Sequence, residues 1–161
     1  MRLTLRTNLA MRALMYCAAH QDRMVTKAEI ARACNASENH LAQVINALGQ
    51  SGFLQTQRGR TGGMRLGARP ETISVGAVFR HFEADTPFTE CFSLDSNACP
   101  LSGRCLLKEA LSNALEAFYK TLDRVTLSDL VDDPAALAHL RALSGTAPVM
   151  ACRSGVTAAR H

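Results

Sequence analysis

Residues 26–66 read TKAEIARACNASENHLAQVINALGQSGFLQTQRGRTGGMRL, and this stretch decides the fold. Thr26 and Glu29 form a capping box, in which each side chain satisfies the other's backbone amide. A helix therefore runs over KAEIARAC. Asn35-Ala36 breaks it, and Ser37 caps a second helix, ENHLAQVINALGQ, with Leu41, Val44, Ile45 and Leu48 on one face. Gly52 stops that helix. Helix, short break, helix is the pattern of a helix-turn-helix. Phe53 to Gln57 then reads as a short strand and Met64 to Leu66 as its partner. The turn between them, residues 58–63, is rich in glycine and carries Arg58 and Arg60. A hairpin directly after a helix-turn-helix is a wing. A plain surface hairpin would not account for Arg58, Arg60 and Arg65 gathering there. Gly62-Gly63 is not followed by a helix opening on Lys-Ser/Thr, so a nucleotide-binding loop is a poor reading.

Outward from this stretch the chain stays helical. Upstream, Leu9, Ala10, Ala13, Leu14 and Cys17 fall at helical spacing between Thr7 and about His20. Downstream, ISVGAVFRH (residues 73–81) reads as a helix capped near Thr72 or Ser74. From Leu106 to Leu122 the residues Leu107, Leu111, Ala114, Leu115, Phe118 and Leu122 form an apolar stripe at steps of three and four. Such a stripe packs on its own core or on a second copy of the chain. DNA-binding proteins that read two half-sites favour the second arrangement. Thr126 caps a short segment, LSDLV, and PAALAHLRAL follows. The fold expected is mainly α with a small β-hairpin: a winged helix-turn-helix DNA-binding region over 1–84, a cysteine loop over 85–105, a dimerisation helix and C-terminal helical segment over 106–143, and a disordered tail over 144–161.

Three of the six cysteines sit in one loop, TECFSLDSNACPLSGRCLLKEAL (residues 89–111): Cys91, Cys99 and Cys105, with seven and then five residues between them. The spacing is too loose for paired C-x-x-C zinc knuckles. Three sulfurs are also one short of the four ligands that zinc or an iron–sulfur cluster takes. The loop reads as a soft-metal or cluster site with one weak or borrowed ligand. The alternatives are three unconnected thiols, or one disulfide with a cysteine left over. Cys17 and Cys34 fall within predicted helices and read as buried, inert thiols, whereas Cys152 reads as a free thiol.

Charge divides the chain. Residues 1–82 hold eleven Lys/Arg against four Asp/Glu, or +7; residues 83–161 hold seven against ten, or −3. A basic half joined to an acidic half is expected when only the first meets a polyanion. Aromatic residues make up 5%, too few for a base-stacking platform, so duplex DNA fits better than single strands. The amphipathic N-terminus lacks the apolar core and cleavage site of a signal peptide, and no run approaches a membrane span. The expected compartment is the cytoplasm, with no membrane partner. No nucleophile–base pairing points to an enzyme, and the five His residues, at 20, 40, 81, 139 and 161, are scattered without ligand spacing. His40 differs in lying on the recognition helix, where it can meet DNA.

The order of elements, helix, helix-turn-helix, arginine-glycine wing, three-cysteine loop, long helix, resembles the dimeric winged-helix repressors that carry an iron–sulfur cluster, of the NsrR, IscR and RirA type. The resemblance rests on MRLT at the start, on NHLAQVINALGQSGFLQTQRGRTGGMRLG, on the Cys91/Cys99/Cys105 loop and on LEAFYKTLDRVTLSDLV, and covers roughly residues 1–133. It implies a 4Fe-4S cluster, with 2Fe-2S the alternative, held by Cys91, Cys99 and Cys105. It also implies a homodimer joined along Leu107, Leu111, Ala114, Leu115, Phe118 and Leu122. DNA contacts on a palindromic duplex operator are implied at Thr26, Ser37, Asn39, His40, Gln43, Arg58, Arg60, Thr61 and Arg65. In NsrR-like members a carboxylate near the N-terminus of the partner subunit can complete the cluster. Here that position holds Asn8, uncharged and a poor iron ligand, as RirA-like members also have. No His closely follows Cys105, unlike the IscR ligand set. The recognition-helix text and the TLSDLV ending place the chain nearest the NsrR-like members, so a repressor sensing nitric oxide is expected. An iron-responsive repressor and a metal-free thiol/disulfide switch are the alternatives.

Overall fold

The structure, a computed structural model, describes residues 3–59, 62–83, 87–93, 97–101 and 104–143. Helix α1 (Leu5–Ala19) begins two residues earlier than its apolar spacing suggests. The Thr4 side chain caps it, accepting from the Thr7 amide at 3.2 Å. Ten of its fifteen residues are buried, because α3, α4, α6 and the hairpin all pack around it. A helix so enclosed needs no polar face, which is why its sequence shows small and apolar residues on nearly every side.

Helices α2 (Lys27–Ala33) and α3 (Glu38–Gln50) form the helix-turn-helix. The capping box is present: the Thr26 amide donates to Glu29 Oε2 at 2.7 Å, and the Glu29 amide donates to Thr26 Oγ1 at 3.3 Å. Between the helices Asn35 takes φ 49°, a left-handed conformation that its short polar side chain tolerates. Leu41, Val44, Ile45 and Leu48 bury one face of α3, as predicted. Strands β1 (Leu54–Gln57) and β2 (Gly63–Leu66) pair antiparallel, with Gln55 opposite Arg65 and Thr56 opposite Met64. Val25, just before α2, exchanges backbone hydrogen bonds with Met64 at 2.8 and 2.9 Å. That bridge fixes the wing against the helix-turn-helix. Gly63 lies so close to Val25 that a Cβ there would sit 2.7 Å from the Val25 carbonyl oxygen.

Helix α4 (Val75–Glu83) starts two residues later than the sequence reading of 73–81. Ile73 is instead extended: its carbonyl accepts from the Leu127 amide at 2.8 Å, and the Val75 amide donates to the Val125 carbonyl at 2.9 Å. The chain following α5 (Leu106–Asp123) thus returns to pair with the entrance of α4, and Leu127 enters the core. Thr126 does form a reciprocal cap with Asp129, its amide donating to Asp129 Oδ2 at 2.7 Å. The segment behind it is a hydrogen-bonded turn rather than a helix. Helix α6 (Pro134–Ala142) opens instead on Asp133, whose carboxylate accepts from the Ala136 amide at 2.8 Å. It docks on α1, where Arg141 Nε donates to the Ala19 carbonyl at 3.0 Å. Among the described residues no helix is long and apolar enough to cross a membrane.

Candidate functional site

Two regions carry the expected chemistry. The first is the face formed by α3 and the wing. Asn39 and Gln43 are exposed and one turn apart, opposite the buried stripe of α3. His40 is exposed to one side of them. Thr26 and Ser37 are exposed too, but each already serves as a helix cap: the Thr26 hydroxyl donates to Glu29 Oε2 at 2.8 Å, and Ser37 Oγ accepts from the His40 amide at 3.3 Å. Their hydroxyls set the start of α2 and α3, and with it the presentation of Asn39 and Gln43. Arg58 and Arg65 are exposed on the wing, and Arg65 Nε donates to Gln55 Oε1 at 2.9 Å across the hairpin. Arg60 and Thr61 lie outside the described residues.

Asn46 and Gln50, absent from the sequence reading, continue the exposed face of α3 beyond Gln43. The signal for them is the step of four, three and four residues along 39, 43, 46 and 50. Between this face and β1 lies an open cleft of about 530 Å³, lined on the strand side by Gln55 and Thr56.

The second region is the loop joining α4 to α5. Cys91 lies in a short 3-10 turn, Glu90–Phe92, and its sulfur is 3.0 Å from the Thr89 hydroxyl. Glu90 reaches across the loop, where its Oε1 accepts from the Ala98 amide at 3.0 Å, tying the Cys91 turn to the residue before Cys99. Cys99 donates its amide to Asn97 Oδ1 at 3.1 Å. Cys105 is the N-cap residue of α5. All three thiols are free and half-buried. Among the described residues, no three His, Cys, Asp or Glu side chains are gathered closely enough to hold a metal ion, so the structure does not bring the three sulfurs together. As a donor set they suit a soft metal: reduced, partly accessible and carried by one loop. Cys17 and Cys34 differ in kind. Burial, with Cys34 nearby, pushes the Cys17 thiol up to about 12, and burial pushes Cys34 up to about 11, with Arg12 opposing. Both stay protonated and inert, as expected.

Asn8 is exposed on the first turns of α1. That end of the helix is tied to the end of α4 by Glu83. Its Oε1 accepts from the Thr4 amide and the Thr4 hydroxyl, each at 3.0 Å, and from the Thr7 hydroxyl. Burial alone would raise the Glu83 carboxyl, but these bonds outweigh it and hold it below the usual range.

Helix α5 has no buried residue. Its last turns pack on α4, where Phe118 meets Phe79 at 6.2 Å between ring centroids. Arg80 holds Asp123 through two hydrogen bonds, that from Nη2 to Oδ2 being 2.8 Å, and lies 4.6 Å over the Tyr119 ring. At its other end Leu106 and Leu107 are 81% and 65% exposed. Of the remaining stripe, Leu111, Leu115, Phe118 and Leu122 are half-buried and Ala114 is exposed.

Comparison with known proteins bears on both regions. The profile of the Rrf2 family, described as an iron-dependent transcriptional regulator, matches residues 3–133. The transcriptional regulator NsrR of Geobacillus kaustophilus is 43% identical over 141 residues, which is 87% of this chain and 96% of that protein. NsrR of Bacillus subtilis is 43% identical over 132 residues, 81% of this chain and 90% of that one. Among solved structures, T. potens IscR superposes with a TM-score of 0.67 at 24% identity, covering 83% of this chain and 88% of that one. CymR, the global cysteine regulator of B. subtilis, does so with a TM-score of 0.62 at 25% identity, covering 82% and 97%.

Proposed function

The chain belongs to the Rrf2 family of transcriptional regulators, and from that premise we propose that it is a homodimeric repressor that binds a palindromic operator and responds to nitric oxide through an iron–sulfur cluster. It is a DNA-binding regulator and not an enzyme. The observation that carries the finer reading is the position of the cysteine loop. It follows α4, which packs on α1, the helix that α3 and the hairpin also pack on, and it ends at Cys105, the N-cap of α5. Cys91, Cys99 and Cys105 are the residues that would hold the cluster. When bound, it supplies thiolate-held iron open to attack by nitric oxide.

The chain's own residues then relate the loop to the DNA face. Whatever restrains the Cys105 sulfur also restrains the start of α5. The Arg80–Asp123 pair and the Phe79–Phe118 contact lock the far end of α5 to α4. If the incompletely covered stripe from Leu107 to Leu122 joins two copies, a change at the loop alters the spacing of two recognition helices. This is a shift between two arrangements of packed elements. The basic character of residues 1–82 supplies attraction to the phosphate backbone.

A second reading, an iron-responsive repressor, is favoured by Asn8, which has no charge to offer iron. Anaerobic purification with iron and sulfide counts, followed by operator binding during titration with nitric oxide and with a chelator, tests both. Coloured protein released from DNA by nitric oxide supports the first reading. Release by the chelator alone supports the second. Protein that stays colourless after anaerobic reconstitution, and loses DNA only on oxidation of its thiols, leaves a metal-free thiol switch.

A further inference from the structure

The first turn of α5 carries a charge that the fold by itself does not explain. Lys108 lies one helical turn beyond Cys105, the N-cap of α5. A cation at that end opposes the helix dipole, whose N-terminus favours anions. Cys105 makes no side-chain hydrogen bond to the first amides of the helix, so this corner stays electropositive. Arg104, exposed and next to Cys105 in the chain, adds to it. Lys108 is nevertheless drawn in rather than left in water. It is half-buried, whereas Lys120 on the same helix is exposed. Its ammonium lies over the Phe92 ring, 6.0 Å from the centroid. Phe92 follows Cys91 in the same short 3-10 turn, and Phe88 packs edge-on against it at 6.1 Å between centroids. Lys108 therefore spans the two ends of the cysteine loop, from the Cys91 turn to the Cys105 cap. Two carboxylates lie near it in sequence. Glu90 Oε1 accepts from the Ala98 amide, and Glu109 is exposed. Among the described residues no ion pair joins Lys108 to a carboxylate.

We propose that Lys108 is the counter-charge of the cluster site: its ammonium, steered by Phe92 to lie between the Cys91 turn and the start of α5, offsets the negative charge that three thiolates bring to the loop. The inference rests on the reading of Cys91, Cys99 and Cys105 as cluster ligands. Three thiolates outweigh the positive charge of a cluster core, so the loaded loop is anionic there. An anion beside the first turn of α5 converts an unfavourable lysine into a favourable one. The Phe92 ring supplies the direction, because its face attracts the ammonium. Lys108 does not ligate iron, since an ammonium has no lone pair to give. It acts through charge and slows the release of iron from the thiolates.

The test compares the full chain with Lys108→Gln, which removes the charge and keeps most of the stem, and with Lys108→Arg, which keeps both the charge and the attraction to the ring. Each protein is reconstituted anaerobically, and loss of the visible chromophore is timed under excess bipyridine. This chelator is neutral, so the substitution does not change its attraction to the site. At low salt Lys108→Gln is expected to lose its cluster roughly tenfold faster than the unaltered chain, the effect of one charge about a helical turn away in a partly hydrated site. High salt should narrow the gap. Lys108→Arg and Lys120→Gln should both stay close to the unaltered chain. In the metal-free state Lys108→Gln should unfold at the same temperature or a higher one, because a cation has left the positive end of α5. Equal rates of cluster loss in Lys108→Gln and the unaltered chain overturn the proposal. So does a loss that Lys108→Arg shares, or a lowered metal-free midpoint in Lys108→Gln, because either would make the residue a packing partner of Phe92 and not a charge. An unaltered chain that takes up no cluster overturns the ligand reading and this assignment together. One that takes up a cluster and holds it equally well without Lys108 overturns the assignment alone.

Discussion

At the scale of single residues, Glu83 and Thr7 join two elements that are far apart in sequence. Thr7 is wholly buried, and its hydroxyl donates to the Glu83 carboxylate. Thr7→Val keeps the shape and removes the donor from a half-buried acceptor. The expected loss is on the order of 1–3 kcal/mol, read from denaturant midpoints at neutral pH. The Glu83 carboxyl titrates below its ordinary value of 4.5 in the folded chain. Its stabilising effect is therefore present above that value and is lost as pH falls through the depressed one. Glu83→Gln should flatten the acid limb of the stability curve below the ordinary carboxyl range; an unchanged limb would show that the carboxylate is not held as described. The cysteines separate just as sharply. In the metal-free, reduced protein at pH 8, iodoacetamide should modify Cys91, Cys99 and Cys105 and spare Cys17 and Cys34, as mapped by peptide mass. Labelling of Cys17 at the rate of Cys105 would contradict their burial.

At the scale of elements, the junction of α4 and α5 is a close fit. A Cβ on Gly76 would collide with the Asp123 carboxylate and lie 2.8 Å from the Asp123 backbone nitrogen. The glycine lets the last turn of α5 approach α4 closely enough for Arg80 to grip Asp123. The hydrogen bond from Arg80 holds the Asp123 carboxyl below its usual range. Gly76→Ala replaces a flexible residue in a helix, which by propensity alone would stabilise the chain. Crowding against α5 should reverse that sign and cost about 1–3 kcal/mol. Thermal unfolding decides between them: a raised midpoint would mean that the two helices part without cost. The wing shows the same logic. Its strands are only four residues each. Val25 adds a third bridging segment, which a hairpin this short needs for order.

At the scale of the whole molecule, α5 is left with an apolar face that one copy of the chain does not cover. Leu107 is 65% exposed, so a charge there should not disturb the fold of a single chain. In a dry interface between two copies it would cost several kcal/mol. Leu107→Glu is therefore expected to give folded monomers with unchanged helical content, where the unaltered protein sediments as a dimer. A wild-type monomer at micromolar concentration would end the dimer proposal. The monomeric variant should also bind half-sites weakly, because two recognition helices no longer act together.

Much of this architecture was written locally. The capping box at Thr26, the Ser37 cap, the stripe of α3 and the two short strands of the wing are fixed by neighbours within a few residues, so cap, period and turn chemistry suffice to read them. The grouping of three cysteines in one loop was equally plain from spacing, although among the described residues their sulfurs are not brought together. What sequence could not supply were the contacts between distant segments. Ile73 is extended because residues 125–127 return to pair with it, Thr4 starts α1 where Glu83 accepts its donors, and Gly76 is small because Asp123 lies against it. The cleft beside α3 likewise exists only because the Val25 bridge sets the wing at its distance from the helix. Each of these depends on where two remote segments meet. The free energy of that meeting comes from burying both at once, so neither segment carries the signal alone.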